Sequence, residues 1–148
     1  MITLLGLILF LIFMTLSLFH FYWGFGGRIG YGSVIPTRMD GKVLFKPGYL
    51  STFIVAAGLL GMAIFILAII KVIIFPLPAW ILKYGLIGIS MIFILRAIGD
   101  FKYIGFFARS NTDQPSNGSS NFSVMDKKYY SPLCLLIGFL AILIFVLQ

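Results

Sequence analysis

Residues 80–107 read WILKYGLIGISMIFILRAIGDFKYIGFF, and the charge spacing in this stretch decides which fold the chain can adopt. Only twelve uncharged residues separate Lys83 from Arg96. They form about 18 Å of helix, which is too short to cross a hydrocarbon core of roughly 30 Å. A helix that begins at Trp80 reaches Arg96 after about 24 Å, with both charged side chains extending toward the surfaces. The stretch therefore predicts a membrane-spanning helix with a cation near each boundary.

The composition of the whole chain excludes an ordinary water-soluble domain. Its 148 residues are 61% hydrophobic and only 10% charged, and the mean hydropathy is +1.10. Soluble domains carry about 25% charged and 45–50% apolar residues. Because the excess apolar surface needs a lipid environment, we predict one integral membrane domain over residues 1–148.

Three further apolar stretches are long enough to cross a bilayer. We predict an all-α transmembrane four-helix bundle with spans at residues 2–23, 49–71, 79–98 and 131–147. Gly99 is the expected C-terminal cap of the third helix, because glycine adopts the left-handed cap readily. Ser131 is the expected N-cap of the fourth helix, with Pro132 at its first position. The polar residues 108–128 predict a mobile loop.

The basic residues are divided unequally between the two sides of this bundle. The side with loops 24–48 and 99–130 holds nine Lys and Arg residues, Arg96 included, whereas the other side holds only Lys71 and Lys83. The positive-inside rule then predicts that both loops are cytoplasmic and that both termini lie on the outer side.

The candidate site lies on the basic side. Arg96 and Asp100 are four residues apart, so a continuous helix would place them on one face. His20 ends the first helix at the same predicted level, beside two interfacial aromatic residues. The simpler interpretations are a boundary cation, a polar cap and an interfacial histidine. We predict a binding site for an anionic lipid headgroup, formed by His20, Arg28, Arg96, Asp100, Lys102 and Tyr103.

Several other chemistries are not expected. The four aspartates lie outside the centres of the apolar spans, so a proton relay at membrane depth has no residues to form it. A zinc site needs three or four ligands, yet the chain has one histidine and one cysteine, Cys134, at opposite ends. We therefore expect no metal and no cofactor. No nucleic-acid module is present, and the glycine-rich stretch GFGGRIGYG matches no nucleotide-binding motif.

Two alternatives to simple lipid binding stay open. One is a membrane enzyme that acts on a lipid or quinone, with His20 as general base and Asp100 as its orienting partner. The other is an accessory subunit of a larger complex, or a homo-oligomer. Ala57 and Gly61 form a small-xxx-small pair that would let a partner helix approach closely.

Two motifs also carry a resemblance to a known family. The stretches LRAIGDFKYIGFF at 95–107 and DKKYYSPLCL at 126–135 resemble an uncharacterised family of small bacterial four-helix membrane proteins, a domain of unknown function. His20, Tyr22 and Trp23 match the residues that tend to end the first helix of that family. The resemblance implies a location in the bacterial inner membrane, and it implies no activity.

The predicted topology can be tested by cysteine labelling, because Cys134 is the only cysteine. In a Cys134→Ala background, we expect Ser33→Cys and Ser119→Cys to react with a membrane-impermeant maleimide only after the cells are permeabilised. Gln148→Cys, at the C-terminus, should react in intact cells. Labelling of positions 33 and 119 from opposite faces would contradict the topology.

Overall fold

A computed structural model of the chain describes residues 1–30, 48–74, 76–107 and 125–148. Within these ranges the chain forms helices and turns and no strand, so the predicted all-α four-helix architecture is confirmed. We number the membrane helices in chain order: α1 is Ile2–Gly24, α2 is Tyr49–Ile69, α3 is Ala79–Phe107 and α4 is Ser131–Leu147.

Each of these helices contains a segment long and apolar enough to cross a membrane. Between 22% and 39% of each segment is buried inside the protein, so most of its surface faces outward. The outward surface is itself apolar, as exposed side chains such as Leu11 on α1 and Phe139 on α4 illustrate. Lipid can cover such a surface, and the helices pair their own backbone groups, as a hydrocarbon environment requires.

The bundle is built from two antiparallel helix pairs. α1 packs along α2, and α3 packs along α4, while α1 and α4 make smaller contacts and α2 and α3 make limited ones. The buried rings of Phe13 and Phe93, with centroids 5.5 Å apart, join the two pairs. Because Phe13 is on α1 and Phe93 is on α3, this contact also fixes the relative level of the two helices.

Glycines allow the helices of each pair to approach closely. A Cβ atom added at Gly138 on α4 would lie 2.7 Å from Ile94 Cγ1 and 3.4 Å from the Ser90 carbonyl oxygen on α3. Gly24 on α1 faces the ring of Phe53 on α2, which would lie 3.1 Å from an added Cβ. Close packing of this kind drives helix association in lipid, where apolar burial gives no advantage over the surrounding chains.

The predicted end of α3 at Gly99 was wrong. α3 continues through Gly99 to Phe107, and its 29 residues extend about 43 Å, well beyond a hydrocarbon core of roughly 30 Å. A glycine permits a helix to end but does not require it, since an interior glycine costs only about 1 kcal/mol. No proline follows Gly99 within α3 to stop the helix.

The predicted N-cap at Ser131 was also wrong. A π-helical turn at Asp126–Tyr130 leads directly into α4, and Tyr130 already has helical backbone angles (φ −77°, ψ −46°). Because Pro132 has no N–H, it cannot donate the helical hydrogen bond to the carbonyl four residues before it. The loss of this bond explains why the turn just before Pro132 widens into a π-helical turn. Residues 125–128, which we predicted to be loop, are thus helical, and the rest of that loop, 108–124, lies outside the described residues.

Two buried serines in the bundle differ in their hydrogen bonding. Ser17 Oγ on α1 donates to the Ala56 carbonyl oxygen on α2 across 2.8 Å. Ser90 Oγ on α3 is buried and makes no hydrogen bond, although Ser90 is only 2% exposed. The first hydroxyl links two helices, and the second is an unpaired polar group in an apolar core.

This difference predicts opposite responses to removal of the hydroxyl group. Ser17→Ala should lower the free energy of unfolding by about 0.6 kcal/mol, and by at most about 1.7, as for other interhelical bonds in membranes. Ser90→Ala should be neutral or stabilising, because it removes an unpaired buried group. SDS titration in bicelles measures both variants, and equal destabilisation by the two would contradict the assigned hydrogen bonding.

Candidate functional site

The chain after α1 folds back onto the last turn of that helix. Phe25 N–H donates to the Phe21 carbonyl, and Gly27 N–H donates to the Tyr22 carbonyl, each across 2.9 Å. Gly26 has φ +90°, a backbone conformation that side chains disfavour, so the reversal needs glycine there. Trp23 Nε1–H then donates to the Ile29 carbonyl oxygen across 2.9 Å. This bond holds the returning segment against α1.

The returning segment encloses an apolar cleft on the outer surface of α1. The cleft has a volume of about 380 Å³ and is lined by Thr15, Leu18, Phe19, Tyr22 and Ile29. Arg28, which precedes Ile29 in the chain, is exposed and does not line the cleft. The arrangement combines an apolar surface with the phenol group of Tyr22 near the end of α1.

His20 faces the inside of the bundle rather than the lipid. It lies on the stripe of α1 that holds the buried residues Phe13, Ser17 and Gly24, whereas Leu18 and Phe19 are exposed. His20 Nδ1 lies 2.7 Å from the Leu16 carbonyl oxygen, so Nδ1 carries the proton and donates. In a neutral ring, Nε2 is then the acceptor.

The ring of His20 also stands edge-on to a neighbouring indole. Its centroid lies 5.3 Å from that of Trp23, with an angle of 64° between the planes. Trp23 therefore contacts His20 with its ring while its N–H holds the Ile29 carbonyl. One side chain connects the histidine to the segment that carries Arg28.

Arg96 lies at the same end of the bundle as His20. Phe13 and Phe93 are in contact, and α1 and α3 run in the same direction. Seven residues beyond Phe13 place His20 about 10 Å further along, and three residues beyond Phe93 place Arg96 about 5 Å further along. The two levels thus differ by about one helical turn, and Arg96 is exposed.

The remaining predicted site residues are only partly described. Asp100, Lys102 and Tyr103 belong to the continuous helix α3, but their side chains lie outside the described residues. Unbroken helix from Arg96 to Asp100 puts the two residues on one face, as an i,i+4 pair requires. Contacts of Asp100 with Arg96 or with His20 stay predictions.

The described cations are distributed between the two ends of the bundle. Arg28, Arg96 and Lys128 are exposed at the end that carries His20, and Lys128 Nζ lies 5.2 Å from the ring centroid of Tyr129. Lys71 and Lys83 are exposed at the opposite end. Across the described part of the chain, no group of three or more His, Cys, Asp or Glu residues comes together to hold a metal.

A second apolar groove opens between α2 and α3. It has a volume of about 320 Å³ and is lined by Gly58, Gly61, Met62, Phe65, Gly85 and Ile89. The sequence indicated Gly61, with Ala57, as a face for a partner helix, and both residues are exposed. The partner itself stays a prediction.

The sequence did not indicate the cleft beside α1 or the groove as cavities. Thr15, Leu18 and Ile29 have no distinguishing pattern, because lipid-facing and cleft-lining residues are equally apolar. The only available signal was the Gly26-Gly27 pair, since consecutive glycines after a helix permit a reversal of the chain.

Comparison with known proteins supports the resemblance to an uncharacterised family. Residues 13–141 match the family described as "Protein of unknown function (DUF3995)". No curated protein and no solved structure matches the chain. The match includes parts of all four helices, and together with their length and apolar composition it indicates an integral membrane protein.

We predict that the hydrogen bond from Trp23 to Ile29 holds the segment with Arg28 against α1. Trp23→Phe keeps an aromatic ring but removes the donor. We expect cleavage by trypsin after Arg28 to accelerate about two- to tenfold, the effect of losing one hydrogen bond on local opening. The rate is measured in nanodiscs from the mass of fragment 1–28. Trp80→Phe, at the other end of the bundle, should leave the rate unchanged, and an unchanged rate in Trp23→Phe would refute the anchoring role.

Proposed function

Because the chain belongs to the DUF3995 family of proteins of unknown function, we propose its role from its own residues: non-enzymatic binding of an anionic lipid headgroup. The observation that carries the proposal is the position of Arg96. This exposed residue lies on α3 at the same end of the bundle as Arg28 and His20, and we expect its guanidinium group to reach the level where the hydrocarbon ends.

The chemistry of these groups suits a phosphate better than a neutral headgroup. A guanidinium group has five N–H donors in a planar fork that matches phosphate oxygens. Each basic residue near an anionic surface contributes about 1 kcal/mol of attraction. Arg28 and Lys128 add exposed positive charge at the same end, and Lys128 Nζ lies 5.2 Å from the ring centroid of Tyr129.

We further propose that this end faces the cytoplasm of a bacterium and that the protein resides in the inner membrane. Nine of the eleven Lys and Arg residues belong to this end by sequence. The positive-inside rule places such an end in the cytoplasm, where the anionic leaflet also supplies the ligand. Both termini are then on the outer side.

Asp100, Lys102 and Tyr103 have proposed supporting roles. All three lie on the part of α3 that follows Arg96, and we expect this part to reach the region where headgroups lie. Lys102 would add charge, Tyr103 would lie at the interface, and Asp100 would orient Arg96. His20 would donate to or accept from the headgroup through Nε2, because its Nδ1 is engaged by the Leu16 carbonyl.

The alternative of an acid–base enzyme receives less support from the geometry of His20. Its Nδ1–H already donates to the Leu16 carbonyl oxygen. If Asp100 bound the other ring nitrogen, neither nitrogen would remain to take a proton from a substrate. The pair therefore fits ligand binding better than general-base catalysis.

A third candidate function, that of an accessory subunit, is favoured by one observation. Ala57 and Gly61 are exposed on α2, so this small face is available to a partner helix. Purification in a mild detergent, with Gly61→Leu as the blocked variant, tests it: loss of a specific co-purifying protein only in that variant would support it.

Loss of the guanidinium group should reduce lipid binding. We expect Arg96→Ala to bind anionic phospholipid about tenfold less well, which corresponds to about 1.4 kcal/mol and to one charge-assisted contact. Native mass spectrometry of protein released from phosphatidylglycerol nanodiscs measures the retained lipid. Lys83→Ala, which removes a cation from the opposite end of α3, is the matched control. An unchanged lipid profile in Arg96→Ala would remove the main support for this function.

A further inference from the structure

The open side of the bundle lies between α2 and α3. These helices make only limited contact, whereas α2 packs closely on α1 and α3 packs closely on α4. The groove between them is shallow and is lined by Gly58 and Gly61 on α2 and by Gly85 on α3, where the ring of Phe65 from α2 packs against Gly85. Its lining carries no charged side chain.

Beyond the groove, exposed apolar side chains on the same helix faces extend toward the basic end of the bundle, and we take them as the path of the ligand. On α2 the path continues through Ile54, which is 63% exposed. On α3 it continues through Ile92, which is 54% exposed. Both residues lie between the groove and the end that carries Arg96, because α2 and α3 run in opposite directions.

Arg96 lies on the same face of α3 as the groove. Gly85, Ile89, Ile92 and Arg96 follow one another at intervals of four, three and four residues, which keeps them on one side of a helix. The eleven residues from Gly85 to Arg96 span about 16 Å. This is about half of a 30 Å hydrocarbon core, the depth of one leaflet.

We propose that the groove seats one acyl chain of an anionic phospholipid while Arg96 binds the phosphate of the same molecule. The lipid belongs to the leaflet on the Arg96 side, and its chain extends past Ile92 toward Gly85. The inference deepens the proposed headgroup binding, on which it depends. It makes the ligand an intact lipid whose chain and headgroup are both recognised.

Charge complementarity favours a lipid over a second copy of the chain. The apolar groove and the cation at its end match an apolar chain with an anionic head. A second copy in the same orientation would bring further cations of the basic end toward Arg96, in a chain whose net charge is +7. The acyl chain gains van der Waals contact with the residues that line the groove. The contact of its phosphate with Arg96 selects an anionic headgroup.

The glycines of the groove provide a test that does not disturb the fold. A Cβ atom at Gly58 or Gly61 would meet nothing within 4 Å, so a side chain can begin at either position without meeting its neighbours. We expect Gly58→Leu and Gly61→Leu each to retain about tenfold less phosphatidylglycerol, a ratio that corresponds to about 1.4 kcal/mol. Gly88→Leu is the matched control, because Gly88 also has free space around it and does not line the groove.

The measurement is native mass spectrometry of the full chain from nanodiscs that contain equal amounts of phosphatidylglycerol and phosphatidylethanolamine. Loss of phosphatidylglycerol in both groove variants and in Arg96→Ala, with retention in Gly88→Leu, supports the inference. Retention in the groove variants with loss in Arg96→Ala overturns the groove and leaves the headgroup proposal standing. Retention of phosphatidylglycerol in all variants overturns both the groove and the headgroup proposal. If Gly61→Leu converts a dimer to a monomer without loss of lipid, the groove is instead the contact with a second copy of the chain.

Discussion

The rest of the structure depends on where the two cations that flank the apolar run of α3, Lys83 and Arg96, can lie. A hydrocarbon core excludes a cation, so Lys83 and Arg96 must each reach a boundary, and the short apolar run between them sets the level of α3 in the membrane. Because Phe13 on α1 contacts Phe93 on α3, the level of α3 also sets the level of α1. His20 consequently lies near the same boundary as Arg96, and a charge constraint on one helix positions a residue of another.

Close backbone contact holds the bundle together around this level. Lipid tails are as apolar as the side chains of the bundle, so the helices gain little from burial and associate through packing and a few hydrogen bonds. Gly138 lets α4 approach α3, and Gly24 lets α1 approach Phe53 of α2. The bond from Ser17 to the Ala56 carbonyl adds one polar link. Gly58 and Gly61 on α2 face no neighbouring side chain, and they line the groove on the open side between α2 and α3.

The proposed functions follow from a single asymmetry between the two ends of the bundle. One end holds Arg28, Arg96 and Lys128 together with His20, and the proposed path of the acyl chain leads toward it. The other end has Lys71 and Lys83 and the short connection between α2 and α3. A lipid with an anionic headgroup and apolar chains is complementary to the first end. Its headgroup would meet the cations at the membrane surface, and its chain would meet the apolar groove deeper in the membrane.

The sequence by itself determined the fold class and the helices that cross the membrane, because length and hydropathy are local properties and a bilayer leaves few alternatives. It did not determine helix ends that depend on their neighbours: α3 continues past Gly99, and a π-helical turn precedes Ser131. The inward direction of His20, the return of the chain at Gly26 and the two apolar cavities were decided only by tertiary structure. In a chain with apolar residues on every helix face, the pattern cannot distinguish a side chain that meets lipid from one that lines a cleft.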